Sequence, residues 1–138
     1  MTRPWTLLLL AWLIATAATM GALFLGEVMG MAPCVLCWYQ RIFMFPIAII
    51  LGIACFTDDR RGAVYALTLA LGGLAMAGYH TLQVAGLIPK AWVPCSAGVS
   101  CADQKLEILN GVQIPWLSLV AFMALAVLLI VFLRKSPR

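Results

Sequence analysis

Four long stretches without a charged residue constrain the fold of this chain more than any other feature. Residues 4–26, 42–57, 62–80 and 112–133 contain no Asp, Glu, Lys or Arg, and 64% of the 138 residues are hydrophobic. A soluble domain of this size cannot bury so much apolar surface. A membrane-spanning helix needs about 20 apolar residues. The second stretch reaches that length if its helix begins near residue 34. The sequence therefore predicts an all-α membrane protein, a four-transmembrane-helix bundle.

The spans are expected at about 5–26, 34–56, 63–83 and 113–133, in a single integral membrane domain covering residues 1–138. An irregular outer loop at about 84–112 joins the last two. The alternative for the first span is a cleaved signal peptide. However, its apolar stretch continues to Leu25, beyond the ~7–15 residues of a signal core.

Basic residues are distributed unequally between the two sides that these four spans define. Six lie on the side of the termini and three on the other. The positive-inside rule therefore predicts that both termini are cytoplasmic. The net charge of +4 could suggest a nucleic-acid partner, but this distribution indicates a membrane topology, so we expect contact with membrane lipid and no nucleic-acid partner. The six are Arg3, Arg60, Arg61, Arg134, Lys135 and Arg138; the three are Arg41, Lys90 and Lys105.

Two cysteine pairs, Cys34 with Cys37 and Cys95 with Cys101, lie on the predicted outer side. That compartment is oxidising, so paired thiols there can form disulfides. Proline before Cys34 places this cysteine in a first helical turn, where the helix dipole favours a thiolate. The fifth cysteine, Cys55, is expected to be a buried apolar side chain near the inner end of the second span.

Each candidate site residue also has a plainer interpretation. Arg41 shares a helical face with the CxxC cysteines and suits a thiolate or an anionic ligand, but it is also typical of a lipid-headgroup anchor. The loop pair suits disulfide exchange or a static crosslink. All four outer cysteines together match a zinc site, although we expect no metal. His80, near the outer end of the third span, is a functional candidate or a packing residue.

Three segments carry a resemblance to a known family. Residues 33–41, Pro-Cys-Val-Leu-Cys-Trp-Tyr-Gln-Arg, strongly resemble the signature of the disulfide bond formation protein B (DsbB) family. Residues 79–83, Tyr-His-Thr-Leu-Gln, and 114–118, Ile-Pro-Trp-Leu-Ser, resemble two further family segments. The short spacing between Cys95 and Cys101 looks like the compact BdbC-like branch of Gram-positive bacteria and some proteobacteria.

This resemblance implies a quinone-dependent protein-disulfide (thiol) oxidoreductase of the bacterial cytoplasmic (inner) membrane, with its redox cysteines facing the periplasm or cell exterior. Its partner would be an extracytoplasmic DsbA-like thioredoxin-fold protein, and its cofactor ubiquinone or menaquinone. By resemblance, Cys95 forms the mixed disulfide with the partner, and Cys101 then attacks the CxxC pair at Cys34. Cys37 faces the quinone beside Arg41. His80 is a candidate hydrogen-bond or proton donor to the quinone.

Two other functions remain open from the sequence. A vitamin K epoxide reductase-like quinone reductase also uses four helices and two cysteine pairs. Those enzymes place the loop pair before the CxxC, whereas here the CxxC at Cys34 and Cys37 comes first. A non-catalytic membrane scaffold or metal-binding protein is the alternative from another class. It predicts bound metal in place of disulfides and no quinone reduction.

Overall fold

A computed structural model of the chain describes residues 4–28, 30, 35–87, 105–106 and 112–136. It contains four long helices: α1 Pro4–Leu23, α2 Val35–Thr57, α3 Arg60–Val84 and α4 Ile114–Lys135. α1 continues directly into a π-helical segment, Phe24–Val28. All four helices are long and apolar enough to cross a membrane. The predicted all-helical, four-span class is confirmed, while the orientation of the termini across the membrane stays a prediction.

The helix boundaries follow from local sequence signals. Pro4 opens α1, at the helical position where a missing N–H costs nothing. Asp58 adopts a left-handed φ of 52° between α2 and α3, a conformation that aspartate tolerates better than most residues. Asp59 then caps α3, because its carboxylate accepts a hydrogen bond of 2.9 Å from the backbone N–H of Arg61. α2 and α3 are therefore joined by a tight turn, as expected.

Two side-chain contacts hold the helix ends together at the face that carries this turn. The indole Nε1 of Trp5 donates to the carbonyl oxygen of Cys55 at 3.1 Å, which joins the start of α1 to the end of α2. The guanidinium of Arg60 donates to the carbonyl oxygen of Leu133 at 3.3 Å, which joins the start of α3 to the end of α4. We call this face the basic end, because Arg60, Arg61, Arg134 and Lys135 lie there. The opposite face is the cysteine end, since α2 begins there with Cys37 in its first turn.

The helices pack as a ring in which α1 contacts α2 and α4, and α3 contacts the same two helices. Small residues fill much of the core, including Ala11, Ala15, Ala66 and Ala70, all with no exposed surface. Small side chains let helix backbones approach closely, which drives association where lipid removes the hydrophobic effect. Large apolar residues such as Ile49, Phe56 and Val120 instead face outward, as expected for surfaces against lipid tails.

The described residues between α3 and α4 include a short two-stranded ladder that the sequence reading missed. Lys105–Leu106 (β1) and Val112–Gln113 (β2) pair antiparallel, with Lys105 opposite Gln113 and Leu106 opposite Val112. The outer loop predicted as irregular at about 84–112 thus contains paired residues, and β2 ends at Gln113, where the last span was expected to begin. Two-residue strands are too short to give a periodic hydrophobic pattern, so the sequence offered no signal for them.

A glycine on α3 makes the close approach of α4 possible. A Cβ atom at Gly73 would overlap the ring of Phe122, which is 1% exposed. At Gly78, one and a half turns further along α3, a Cβ would meet nothing within 4 Å.

Gly73→Ala is therefore expected to destabilise the bundle by about 1–3 kcal/mol through overpacking. The matched variant Gly78→Ala should leave stability unchanged or raise it by about 0.5–1 kcal/mol, because alanine favours the helix. Thermal unfolding of both variants in detergent measures the difference. Equal melting temperatures would show that α3 and α4 do not pack as described.

Candidate functional site

The cysteine end contains one of the four predicted redox cysteines among the described residues. Cys37 lies in the first turn of α2 and is half-buried. Leu36 beside it is 1% exposed and packs with Met76 and Tyr79 of α3, which fixes the start of α2 against the end of α3. Cys34, Cys95 and Cys101 lie outside the described residues. Their predicted pairing and roles therefore stay predictions.

Cys55 lies at the other end of α2, within the main hydrophobic core. It is 8% exposed. The expected role of this cysteine as a buried apolar side chain agrees with that position. α2 thus separates Cys37 from Cys55 by the length of the bundle.

A cavity of about 240 Å³ opens beside Cys37 between α1, α2 and α4. Its polar lining groups come from residues near the cysteine end, Cys37, Gln40, Arg41 and Ser118. The residues one turn deeper are apolar. The cavity thus has a polar end at the level of the thiol and an apolar end toward the middle of the bundle. The apolar lining residues are Ala18, Gly21 and Ala22 of α1, Leu25 of the π-helical segment, Met44 and Phe45 of α2, and Leu117, Ala121 and Phe122 of α4.

Arg41 is held at the polar end of this cavity by two contacts. Its guanidinium Nη2 donates to the carbonyl oxygen of Ala22 on α1 at 2.9 Å. The guanidinium carbon Cζ also lies 5.5 Å from the ring centroid of Trp38, within the range of a cation–π interaction. The side chain is only partly exposed and lines the cavity. Arg41 is thus hydrogen-bonded to a neighbouring helix beside the cavity, and its role toward a ligand stays a prediction.

The carbonyl that accepts from this arginine lies near the junction of α1 with the π-helical segment Phe24–Val28. A carbonyl oxygen has two lone pairs, so it can accept from a side chain in addition to its helical N–H. Ala22 lies just before that junction. Gly26 lies within the segment, and a Cβ there would be 3.2 Å from Nη2 of Arg41. Gly26 therefore leaves room for the guanidinium.

His80 and Gln40 form a second polar contact at the cysteine end. The Nε2 atom of Gln40 lies 2.9 Å from Nδ1 of His80, across the interface of α2 and α3. The two side chains are 5% and 0% exposed respectively. Gln40 lines the cavity, whereas His80 is not among the described residues that do so. The structure thus places Cys37 and Arg41 beside the same cavity, as expected. His80 contacts Gln40, which lines that cavity.

Sequence reasoning missed Gln40, Ser118, Ala22 and Gly26 as members of this site. Gln40 and Ser118 lay within the segments that carried the family resemblance, and Gln40 was also an uncharged polar residue inside a predicted span. That second feature was the available signal for Gln40, because buried polar groups in membranes need partners. Ala22 contributes only its backbone. Among the residues that the structure describes, no group of three or more His, Cys, Asp or Glu side chains could hold a metal ion. The zinc alternative also needs Cys34, Cys95 and Cys101, which lie outside those residues, so it stays an alternative.

Comparison with known proteins gives a consistent result across the chain. The family model of "Disulfide bond formation protein DsbB" matches residues 3–132. A "Probable disulfide formation protein" of Metapseudomonas resinovorans is 51% identical over 96% of this chain and 92% of its own length. "Disulfide bond formation protein C" of Bacillus subtilis is 38% identical, covering 89% of this chain and 86% of its own. No solved structure gives a significant match.

The contrast between Cys37 and Cys55 is testable by thiol labelling. In chains that retain only one of the two cysteines, N-ethylmaleimide should modify Cys37 faster, because that thiol borders a cavity while Cys55 lies in the core. Mass spectrometry of the folded proteins in detergent gives both rates. Labelling that is equal in the folded state, or faster at Cys55, would contradict the placement of the cavity.

Proposed function

Since the chain belongs to the DsbB family and has the four helices of a multi-pass membrane protein that forms disulfide bonds, we propose that it transfers electrons from a thioredoxin-fold protein to a membrane quinone. The partner would be an extracytoplasmic, DsbA-like thiol oxidase that the chain reoxidises. The acceptor would be ubiquinone or menaquinone. The observation that carries the proposal is the cavity beside Cys37, with a cation at its polar end.

The cavity suits an aromatic ring that carries oxygen atoms. An apolar protein cavity of roughly 150 Å³ is large enough for benzene, so the 240 Å³ here leaves space for a substituted ring. Most lining residues are apolar, and the few polar groups cluster at one end, a pattern that orients a small ligand. A lipid-soluble acceptor also needs a site at membrane depth. Helices α1, α2 and α4 all supply walls within their spans.

Arg41 supplies the positive charge that quinone reduction requires. Reduction places negative charge on the quinone oxygens, and disulfide cleavage leaves a thiolate. A guanidinium already fixed by Ala22 and Trp38 stabilises either anion without having to reorganise first. Arg41 has five N–H donors, and one of them is used on the Ala22 carbonyl. Donors therefore remain for the cavity.

The cysteine relay rests on the family resemblance. The reduced partner attacks the Cys95–Cys101 disulfide and leaves as a disulfide itself. The resulting Cys95 and Cys101 thiols are reoxidised through attack by Cys101 on Cys34, which reduces the Cys34–Cys37 disulfide. Each exchange moves two electrons through a mixed disulfide. The quinone finally accepts two electrons and two protons, which regenerates the Cys34–Cys37 disulfide.

The orientation that this relay needs agrees with the distribution of charge. The basic end carries Arg60, Arg61, Arg134 and Lys135, and the positive-inside rule places it in the cytoplasm. The cysteine end then faces the periplasm or the cell exterior, where a soluble thiol oxidase works. We therefore propose the bacterial inner membrane as its location, with residues 1–138 as a single integral membrane domain.

Single cysteine variants test the proposed function directly. Purified protein in detergent receives a reduced thioredoxin-fold partner and a quinone, and quinone absorbance is followed. Cys34→Ser, Cys37→Ser and Cys95→Ser should reduce the rate to the uncatalysed background. Cys55→Ser should retain activity, since that side chain lies in the core at the opposite end of α2. Equal activity in all four variants, or stoichiometric metal in place of disulfides, would refute the relay.

Arg41 is tested by two variants that remove or displace its guanidinium. Arg41→Ala should raise the quinone KM about tenfold or more, the usual cost of losing a hydrogen bond to a charged group. Its effect on the KM for the partner should be smaller. Gly26→Val should act in the same direction, because its side chain would push the guanidinium away from Ala22.

Leu23→Val is the matched control for this pair, since it introduces the same β-branched residue into the same helix at a side chain that is exposed and outside the cavity. It should leave the quinone KM unchanged. If the KM is unchanged in Arg41→Ala as well, Arg41 serves only as a membrane anchor.

A further inference from the structure

The Gln40–His80 contact has no part in the cysteine relay. Both side chains are buried, at 5% and 0% exposure, and they join α2 to α3 through a 2.9 Å contact between residues 40 positions apart. Burying an amide and an imidazole costs free energy unless each finds a partner. Apolar residues would pack this interface without that cost. The pair therefore calls for a role besides packing.

Gln40 differs from His80 because it also reaches the cavity. It lines the polar end, next in sequence to Arg41 and one turn after Cys37. A glutamine amide has two N–H donors and one carbonyl oxygen. Among the described residues, the hydrogen-bond partner of the Gln40 side chain is His80. Because one N–H of this amide contacts His80, the second N–H and the carbonyl oxygen remain for a ligand.

This combination matches both oxidation states of a quinone. The carbonyl oxygen of the oxidised ring only accepts hydrogen bonds, while the hydroxyl of the reduced ring both donates and accepts. Arg41 donates but has no acceptor. Gln40 has both, so it complements the ligand before and after electron transfer. Ser118 of α4 also has both functions, but no hydrogen bond to a neighbouring helix is described that would orient its hydroxyl.

We propose that Gln40 binds an oxygen of the quinone ring directly and that His80 is a positioning residue, which fixes the orientation of the Gln40 amide from behind. This inference rests on the proposed quinone function. The last torsion of a glutamine side chain is broad and allows many orientations. A hydrogen bond to a fully buried imidazole restricts that torsion. His80 thus acts on the ligand through Gln40 and not by its own contact.

The test measures the quinone KM and kcat of the full-length protein in detergent, with dithiothreitol as reductant and decylubiquinone as acceptor. Gln40→Leu should raise the quinone KM about five- to tenfold, the effect of losing one hydrogen bond. The KM for dithiothreitol should stay unchanged. Gln83→Leu is the matched control, because it makes the same chemical change one turn beyond His80 on α3, outside the cavity lining. It should leave the quinone KM unchanged.

The role of His80 is tested by a conservative variant and a double variant. His80→Leu should raise the quinone KM as Gln40→Leu does, whereas His80→Asn should restore most of the affinity, since the asparagine amide reaches the position of Nδ1. The quinone KM of the double variant Gln40→Leu/His80→Leu should be no higher than that of either single variant. Thermal unfolding identifies any variant whose KM changes only because the bundle is damaged.

Each outcome decides one point. An unchanged quinone KM in folded Gln40→Leu overturns the contact with the ligand. If the KM increases of the two single variants multiply in the double variant, His80 does not act through Gln40. The positioning role of His80 is also overturned if His80→Asn fails to restore the quinone affinity. If the wild-type protein reduces quinone normally in these cases, the proposed function stands without the inference. If the wild type fails to reduce quinone at all, the proposed function fails first and the inference falls with it.

Discussion

The arrangement of the site depends on how a guanidinium is accommodated inside a helical membrane bundle. A charged side chain at membrane depth costs roughly 2.5–3.5 kcal/mol even by lenient measures. Arg41 offsets this cost with the carbonyl oxygen of Ala22 at 2.9 Å and the face of Trp38. The carbonyl of Ala22 lies near the junction of α1 with the π-helical segment Phe24–Val28, and its second lone pair is available to the guanidinium.

The sequence predicted the helices because hydropathy and length determine what spans a bilayer. The predicted start of the second span near residue 34 agrees with the observed start at Val35. Helical periodicity also predicted that Cys37 and Arg41 share one helix face, and both side chains line the cavity. These are local properties of a single helix. They follow from its periodicity and do not depend on how the helix meets its neighbours.

The remaining features of the site depend on three-dimensional packing. Gln40 and His80 are 40 residues apart, and no periodic pattern indicates that they meet. The π-helical segment has no compositional signature besides one glycine, Gly26. The cavity exists because three helices leave space between them, so its volume depends on side chains from α1, α2 and α4 together. The role of His80 at the quinone stays a prediction, whereas its contact with Gln40 follows from the packing of α2 on α3.

The cavity and the hydrophobic core share a wall, because Phe122 belongs to both. One side of Phe122 lines the cavity. Its ring also packs so closely against Gly73 that a Cβ atom at that position would overlap it. α1 contributes the small residues Ala18, Gly21 and Ala22 on the opposite wall. The ring of Phe122 is thus held from behind by α3 and limits how far the cavity extends. A change that moves this ring alters the bundle and the ligand space together.

In the relay that we propose, the location of Cys37 meets two opposing demands on one thiol. Disulfide exchange with a partner cysteine requires access from the aqueous side, while electron transfer to a lipid-soluble acceptor requires contact below the membrane surface. The first turn of a spanning helix satisfies both, because it lies at the boundary between these environments. Cys37 is half-buried there, with the polar end of the cavity beside it and the apolar end beneath. A cysteine one or two turns deeper, near Met44, would keep the acceptor but lose the exchange, since no aqueous thiol could reach it.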